Sequence, residues 1–300
     1  MKREKLWVVR PGDGPSVRAI LVRAREDVAA VAEGRVFVGK RRVTDPDRPV
    51  SVGDAVRIGA PDLRSTPSGS IVLFVRDGLV ACFKPAGLPT VPDHAGSSHA
   101  LVALAAAETG AKDLRVTSRL DREVSGVVVF AMDAASEDRL RRARALGEYH
   151  RRYVALAAGD VPDAGTWDTP IGRGPDPRLR RALGDEAKAA VTRFQTVATA
   201  MGIALVAVTP ETGRTHQIRV HASHAGAPLV GDRDYGGPKT ITLPSGRVVA
   251  LDRVALHAAH VRVPGEHGPI DVRADPPAAL TAIWAACGGG AAAWRDAMNV

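Results

Sequence analysis

Residues Ser118–Ala131 read SRLDREVSGVVVFA, and no other stretch limits the fold so tightly. A carboxylate, Asp121, stands between two guanidinium residues, Arg119 and Arg122. A Ser125-Gly126 pair then opens the β-branched run Val127-Val128-Val129. The run reads as a buried strand entered through a glycine turn. A chain that holds such a strand must build a core around it. Asp121 then lies on the loop that leads into the core, where a rigid scaffold holds it. An isolated Arg-Leu-Asp tripeptide is most often a surface ion pair. Three further stretches, distant in the chain, give this one its weight.

The chain has 300 residues, which suits one large domain or a large domain with a small one. A hydrophobic content of 45% with 25% charged residues fits a folded chain. The formal net charge of +8 points to a polyanionic partner. Arginine predominates over lysine; it suits bidentate phosphate contacts, and an Ala- and Arg-rich composition also follows from GC-rich coding. Cys82 and Cys287 are the only cysteines, which excludes a disulfide framework and a Cys-based zinc site. The opening MKREKLWVVRPGDG is charged and lacks the apolar stretch of a secretory signal. No apolar run approaches the roughly 18 residues of a membrane span. A cytoplasmic, membrane-free protein is expected.

Residues 1–14 read as a short tail, or as an edge strand at Leu6–Val9. Residues 15–62 form a unit of their own. It has helical patterns at Val17–Arg25 and Asp27–Glu33, with Arg18 and Arg25 on one face. Two strands follow around Gly39-Lys40, then a Gly53-Asp54 turn and a last strand. Residues 63–70 are a Pro/Ser/Gly linker, and 71–287 are the main domain. Its expected elements begin with strands Ile71–Val75 and Leu79–Phe83, the irregular loop KPAGLPTVP (Lys84–Pro92) and a helix at Ala100–Glu108. A basic helix at Ala134–Leu146, a strand at Tyr153–Ala157 and a basic surface hairpin within 160–190 come next. Strands at Ala187–Val197 and Ile203–Thr209 complete the set, and residues 288–300 read as a tail.

The second of those strands runs into PETGRTHQIRVHASHAGAPLVGDRDYGG (Pro210–Gly237). Thr212-Gly213 ends the strand, and Thr215 is the expected N-cap of a helix to about Ala225. A helix N-terminus beside Arg214 is suited to anions. His216 and His221 fall about 140° apart on such a helix, unlike the i, i+4 pairs of helical zinc sites, so no metal is expected at His216, His221 and His224.

RLDREVSG resembles the catalytic loop HRLDxxTSG of the RluA-type pseudouridine synthases, with Ser118 in place of the His and Val124 in place of the Thr. KPAGLPTVP, EYHRRYVALAA (Glu148–Ala158) and ETGRTHQIRVHASHAGAPLVGDRDYG resemble that family's other motifs, in the same order. EGRVFVGKRRVTDPDRPVSVGDAVRI resembles an S4-like RNA-binding domain, with Arg35, Lys40, Arg41 and Arg42 available to phosphates. The resemblance implies an α+β catalytic domain around a large, mostly antiparallel mixed sheet. It implies an RNA pseudouridine synthase, an isomerase that acts as a monomer on uridine in rRNA or tRNA without a cofactor. A catalytically silent RNA-binding or RNA-folding protein on the same fold is the alternative. Asp121 is then the essential carboxylate, Tyr153 the active-site tyrosine with Tyr149 its local competitor, and Arg219 the partner of Asp121. Arg119, Arg214, His216 and Gln217 are placed against the substrate. Asp232 and Tyr235 order the loop after the helix, and His257 is structural.

Overall fold

A computed structural model of the chain describes residues 5–24, 29–32, 36–39, 41–58, 70–92, 100–176 and 178–299. The chain divides into two units, residues 1–68 with 92–99 and residues 69–91 with 100–300.

The first unit carries β1 (Lys5–Val8), α1 (Val17–Arg23), α2 (Ala29–Ala32), β2 (Val36–Val38), β3 (Arg41–Arg42) and β4 (Ala55–Ile58). Its sheet runs β1-β4-β2-β3, all antiparallel. Val17, Ile20 and Leu21 of α1 share a core with Val36, Val43, Val56 and Ile58. The expected element order is observed. Of the two readings of residues 1–14, the edge strand is observed: Lys5–Val8 pairs with Ala55–Ile58. Asp13 accepts from the Trp7 indole (2.9 Å) and the Arg10 amide (2.8 Å). Arg25, Arg35, Lys40 and nearly all of the expected linker lie outside the described residues.

The second unit begins with β5 (Val72–Arg76), β6 (Leu79–Lys84), α3 (Leu101–Thr109), β7 (Arg115–Val116), β8 (Ser125–Ala131), α4 (Ala134–Ala145) and β9 (His150–Ala158). It continues with β10 (Ala164–Trp167), β11 (Ile171–Arg173), β12 (Arg180–Ala182), β13 (Asp185–Lys188), β14 (Thr192–Ala200), β15 (Ile203–Pro210) and α5 (Gln217–His224). It ends with β16 (Thr240–Thr242), β17 (Val248–Ala250), β18 (Leu256–Gly265), β19 (Gly268–Arg273), α6 (Ala278–Ala286) and α7 (Ala292–Asn299). The large sheet runs β10-β14-β15-β9-β18-β8-β6-β5, with β19 beside β18 and β7 beside β8. Its β18–β8 pair is parallel and the others are antiparallel, which gives the mixed α+β sheet expected.

β8 is buried at all of its positions, as its β-branched run requires. Val127, Val129 and Ala131 share one core with Leu140 and Ala143 of α4. Val128 and Phe130 share another with Leu101 and Ala105 of α3. α4 begins where Asp133 accepts from the Ser136 amide (2.7 Å), half of a capping box. β9 likewise alternates. Tyr153, Ala155 and Ala157 share a core with Ile218 and Ala222 of α5. Val154 and Leu156 share one with Trp284 of α6 and Trp294 of α7.

Three expectations need correction. Residues 288–300 are not a tail: Trp294, Ala297 and Met298 of α7 enter the core under β9 and β15. The 160–190 hairpin is two structures, since β10 joins the edge of the large sheet while β11, β12 and β13 form a sheet of their own. The strand expected over 187–197 is broken: β13 ends at Lys188 and β14 starts at Thr192, on different sheets.

Across the large sheet one row of paired residues positions the site. Val208 (β15) pairs with Tyr153 (β9), Tyr153 with Ala258 (β18), Ala258 with Gly126 (β8), and Gly126 with Lys84 (β6). Directly opposed residues point to the same face. Gly126 has φ +126°, and a Cβ there would lie 2.2 Å from the Ala258 carbonyl oxygen, so only glycine fits.

Candidate active site

Asp121 sits on the loop that enters β8, and the loop is pinned on both sides of it. Thr90 Oγ1 donates to the Leu120 carbonyl (2.9 Å) and accepts from the Leu120 amide (3.1 Å). The Gly87 amide donates to the Arg122 carbonyl (2.6 Å), and Arg122 Nε returns a bond to the Gly87 carbonyl (2.9 Å). Lys84 Nζ donates to the carbonyls of Arg122 (3.0 Å), Leu88 (2.7 Å) and Pro85 (3.1 Å). The Lys84–Thr90 loop thus holds the residues before and after Asp121 and leaves its carboxylate to the cleft. Lys84 is fully buried, and burial pushes its pKa down to about 7, with the Arg253 charge adding to the effect. Three carbonyl acceptors match the three N–H groups of an ammonium, and they oppose that shift.

Behind the loop lies a buried polar group. Arg253 Nη2 donates to Ser125 Oγ (2.8 Å) and the Leu256 carbonyl (3.0 Å). Ser125 Oγ and His257 Nδ1 are 2.8 Å apart, and His257 Nε2 lies 2.9 Å from the Ala274 carbonyl. A carbonyl only accepts, so Nε2 carries the proton and Nδ1 accepts from Ser125. Burial drives the His257 pKa down to about 4. His257 holds the parallel junction under the loop, the structural role expected of it.

Arg219 projects from α5 toward Asp121, with Nη1 3.4 Å from Oδ2. Its closest partner is Asp232, which accepts from Nε (2.8 Å) and Nη2 (2.7 Å) as a fork; Nη2 also donates to Asp234 (2.9 Å). The side chain of Asp232 is 0% exposed, against 25% for Asp121 and 50% for Asp234. Burial works against the Arg219 charge, but the hydrogen bonds and charges of Asp232 and the charge of Asp121 outweigh it and hold the guanidinium firmly protonated. The Tyr235 ring packs against it, 4.8 Å from guanidinium carbon to centroid. Asp232 therefore does more than order a loop, because it anchors Arg219. A carboxylate inside the GDRDYG stretch was the only sequence signal for this.

Thr215 does not cap α5. The N-cap position is His216, in the left-handed region at φ +57° and ψ 18°, and its side chain makes no capping bond. Gln217, the first helical residue, instead braces the turn before α5: its Oε1 accepts from the Arg214 amide (2.9 Å) and Thr212 Oγ1 (2.7 Å). Gln217 Nε2 donates to the Val191 carbonyl and Thr192 Oγ1, both at 2.9 Å. The amide of Gln217 is thus used within the protein, to shape the loop. His216 Nδ1 lies 2.7 Å from the Tyr235 hydroxyl and its Nε2 3.9 Å from Asp121 Oδ2. His221, one turn on, uses both ring nitrogens, on Thr192 Oγ1 and the Thr169 carbonyl.

These elements enclose a cleft of about 470 Å³, within the usual range for small-molecule sites. Asp121, Tyr153 and Arg219 line it, as do His216, Gln217 and Arg214. Arg119, Arg122, Arg144 and Arg151 line it too. Arg151 donates to the Thr212 carbonyl (2.7 Å), and Arg144 packs over the Tyr149 ring at 4.3 Å. Tyr149 is buried below Arg144, its hydroxyl 3.2 Å from Ser118 Oγ, whereas Tyr153 faces the cleft. Burial raises the Tyr153 pKa, and its hydroxyl has no partner among the described residues. A carboxylate on a pinned loop, beside a fixed guanidinium and a protonated phenol, in a cleft rimmed by arginines, suits acid–base or covalent work on a polyanionic substrate.

A sequence profile of the family described as RNA pseudouridylate synthase matches residues 78–224. The chain is similar to ribosomal large subunit pseudouridine synthase D of Xanthomonas campestris, 35% identical over 202 residues, or 62% of this chain and 59% of that one. The chain thus covers less than two thirds of that relative's length. The Yersinia pestis protein of the same name is 32% identical over 248 residues, 78% of this chain and 76% of its own length. Among solved structures, human RNA pseudouridylate synthase domain containing 1 superposes with a TM-score of 0.56 at 26% identity, covering 69% of this chain and 83% of that one. The chain belongs to the RNA pseudouridylate synthase family. Among the described residues no helix is long and apolar enough to cross a membrane.

Proposed function

We propose that this chain isomerises uridine within RNA to pseudouridine, with Asp121 as the essential carboxylate. The observation that carries the reading is the pinning of Leu120 and Arg122 by the Lys84–Thr90 loop, which presents Asp121 to an arginine-lined cleft beside Arg219. In the reaction the C1′–N1 bond breaks, the uracil turns, and C5 joins C1′. One proton leaves C5 and one is taken up at N1, so no water, electron acceptor or cofactor is consumed. Two routes begin at this carboxylate: attack on C1′, or removal of the C2′ proton to give a glycal. Tyr153 stacks on the base and can move a proton. Arg219 orients Asp121 through its Nη1 contact to Oδ2.

A base stacked in a duplex cannot present its glycosidic bond to a carboxylate in a cleft, so the uridine is flipped out. Arg119 enters the stack it leaves, and Arg214, Arg144 and Arg151 meet phosphates. The names of the relatives favour ribosomal RNA among structured RNAs. The first unit, S4-like in its element order, adds RNA affinity rather than chemistry. Asp121→Asn is the direct test: pseudouridine formation on a substrate RNA falls at least ~1,000-fold while RNA affinity stays within about twofold. Wild-type product formation by this variant would end the assignment.

A further inference from the structure

The family's reaction leaves one feature of the cleft unexplained. His216 occupies the left-handed region, which non-glycine residues seldom adopt. Its ring does not cap the helix it precedes. What the backbone geometry achieves is the placement of the ring between Tyr235 and Asp121.

We propose that His216 is a positioning residue for Asp121: its Nε2–H tautomer, set by Tyr235 and the main chain of β12, supplies a donor that orients the carboxylate. The inference rests on the reading of Asp121 as the essential carboxylate.

The proton count decides the tautomer. The Arg180 amide donates to the Tyr235 hydroxyl oxygen (3.0 Å), and a backbone N–H cannot reverse that role. The phenol has one proton, and His216 Nδ1 at 2.7 Å is its acceptor among the described residues. If Nδ1 carried a proton, both neighbours would donate to the phenol oxygen and the phenol's own proton would have no acceptor. With Nδ1 accepting, the phenol proton and the Arg180 amide each have a partner and Nε2 bears the hydrogen.

Nε2 lies 3.9 Å from Asp121 Oδ2, the same oxygen that Arg219 Nη1 approaches at 3.4 Å. Two donors on one oxygen leave the other free for the sugar. A carboxylate movement of about 1 Å brings Nε2–H into hydrogen-bond range. The charged groups around the ring are Asp121 from its loop, Arg219 from α5, and Asp232 and Asp234 from the loop after it, with the Tyr235 phenol on the other nitrogen. Burial lowers the His216 pKa below the ordinary value, against the pull of Asp121, which favours the neutral ring. Protonation in acid forces Nδ1–H onto the phenol oxygen and displaces the phenol proton, which breaks the arrangement.

Single-turnover rates at saturating RNA test this across pH 4.5–8 for wild type, His216→Asn and Tyr235→Phe. Asparagine tolerates the left-handed backbone, so the fold is retained. The wild-type rate should fall on an acid limb below about pH 6.5, the ordinary histidine value. His216→Asn should lose that limb and run roughly 10- to 100-fold slower at pH 7, with RNA Kd within about threefold. Tyr235→Phe should slow the step about tenfold and shift the limb. Imidazole ¹⁵N NMR of the free protein at pH 7 should show His216 protonated on Nε2, with Nδ1 protonated in a substantial fraction of Tyr235→Phe. Rates restored to wild type by saturating RNA, an unchanged acid limb in His216→Asn, or a wild-type His216 protonated on Nδ1 would each overturn the proposal. Asp121→Asn in the same assay separates the two readings: activity there removes the role of Asp121 itself, whereas an inactive Asp121→Asn beside a wild-type His216→Asn removes only His216.

Discussion

Arg219 shows why a partner read from a motif is only part of a residue's surroundings. It reaches Asp121 at 3.4 Å, yet its two shortest bonds go to the fully buried Asp232. Arg219→Met therefore strips the fork from a carboxylate that has no water to replace it. A broken buried pair costs about 3–5 kcal/mol, so this variant should first lose stability, seen as a lower denaturant midpoint. Arg219→Lys keeps the charge without the planar fork; it should lose roughly 1–2 kcal/mol and stay more active. Stability equal to wild type in the Met variant would mean that Asp232 is held by other groups. Only if both variants are compared while folded does the rate report on Asp121.

Among the elements, β8 and α5 show how far local pattern reaches. The run Val127–Val129 and the Asp133 cap are local chemistry, and both ends of that strand–helix pair fall where expected. The start of α5 is different. Gln217 can brace the turn before it only because Val191 and Thr192, the first residue of β14, meet its amide, a contact across 25 residues or more. α7 has a strongly two-sided sequence, but its apolar side has meaning only where β9 and β15 offer a surface. The β2–β3 hairpin of the first unit is the element proposed to add RNA affinity. Arg41 is exposed and Arg42 half-buried, so Arg41→Ala/Arg42→Ala should fold normally. Its RNA Kd should rise severalfold, and the slope of log K against log salt should shrink by up to about 2, since each phosphate contact contributes about 0.7–0.9. An unchanged slope would show that this hairpin does not meet RNA.

On the scale of the molecule, the site depends on a polar junction in the middle of a large apolar sheet, and that junction sets a pH dependence. His257 has a folded pKa of about 4 against an ordinary 6.5, so between these values the unfolded chain binds the proton and the folded chain does not. Stability then falls as pH drops from 6.5 to 4, by up to about 3 kcal/mol from this group, and is unaffected by it above 6.5. His216, His221 and His260, also lowered chiefly by burial, act in the same direction. Denaturant midpoints measured from pH 4 to 8 should slope less for His257→Gln than for wild type. Parallel curves would mean that His257 is charged in the folded protein.

What could be read along the chain were features with short-range causes: β-branched runs, turns at glycine, the order of the elements, and four motif stretches that carry Asp121, Tyr153 and Arg219. Pairing across the sheet was not legible, because the row from Val208 through Tyr153, Ala258 and Gly126 to Lys84 joins residues up to 132 positions apart. Neither was the function of the KPAGLPT loop, whose bonds to Leu120 and Arg122 close over more than 29 residues. Hydrogen bonds and ion pairs of this kind act only within a few ångströms, and chain order does not say which distant groups come that close. The identity of Gly126 was visible from the start; the reason for it, a carbonyl on β18 that leaves no room for a Cβ, exists only in the folded sheet.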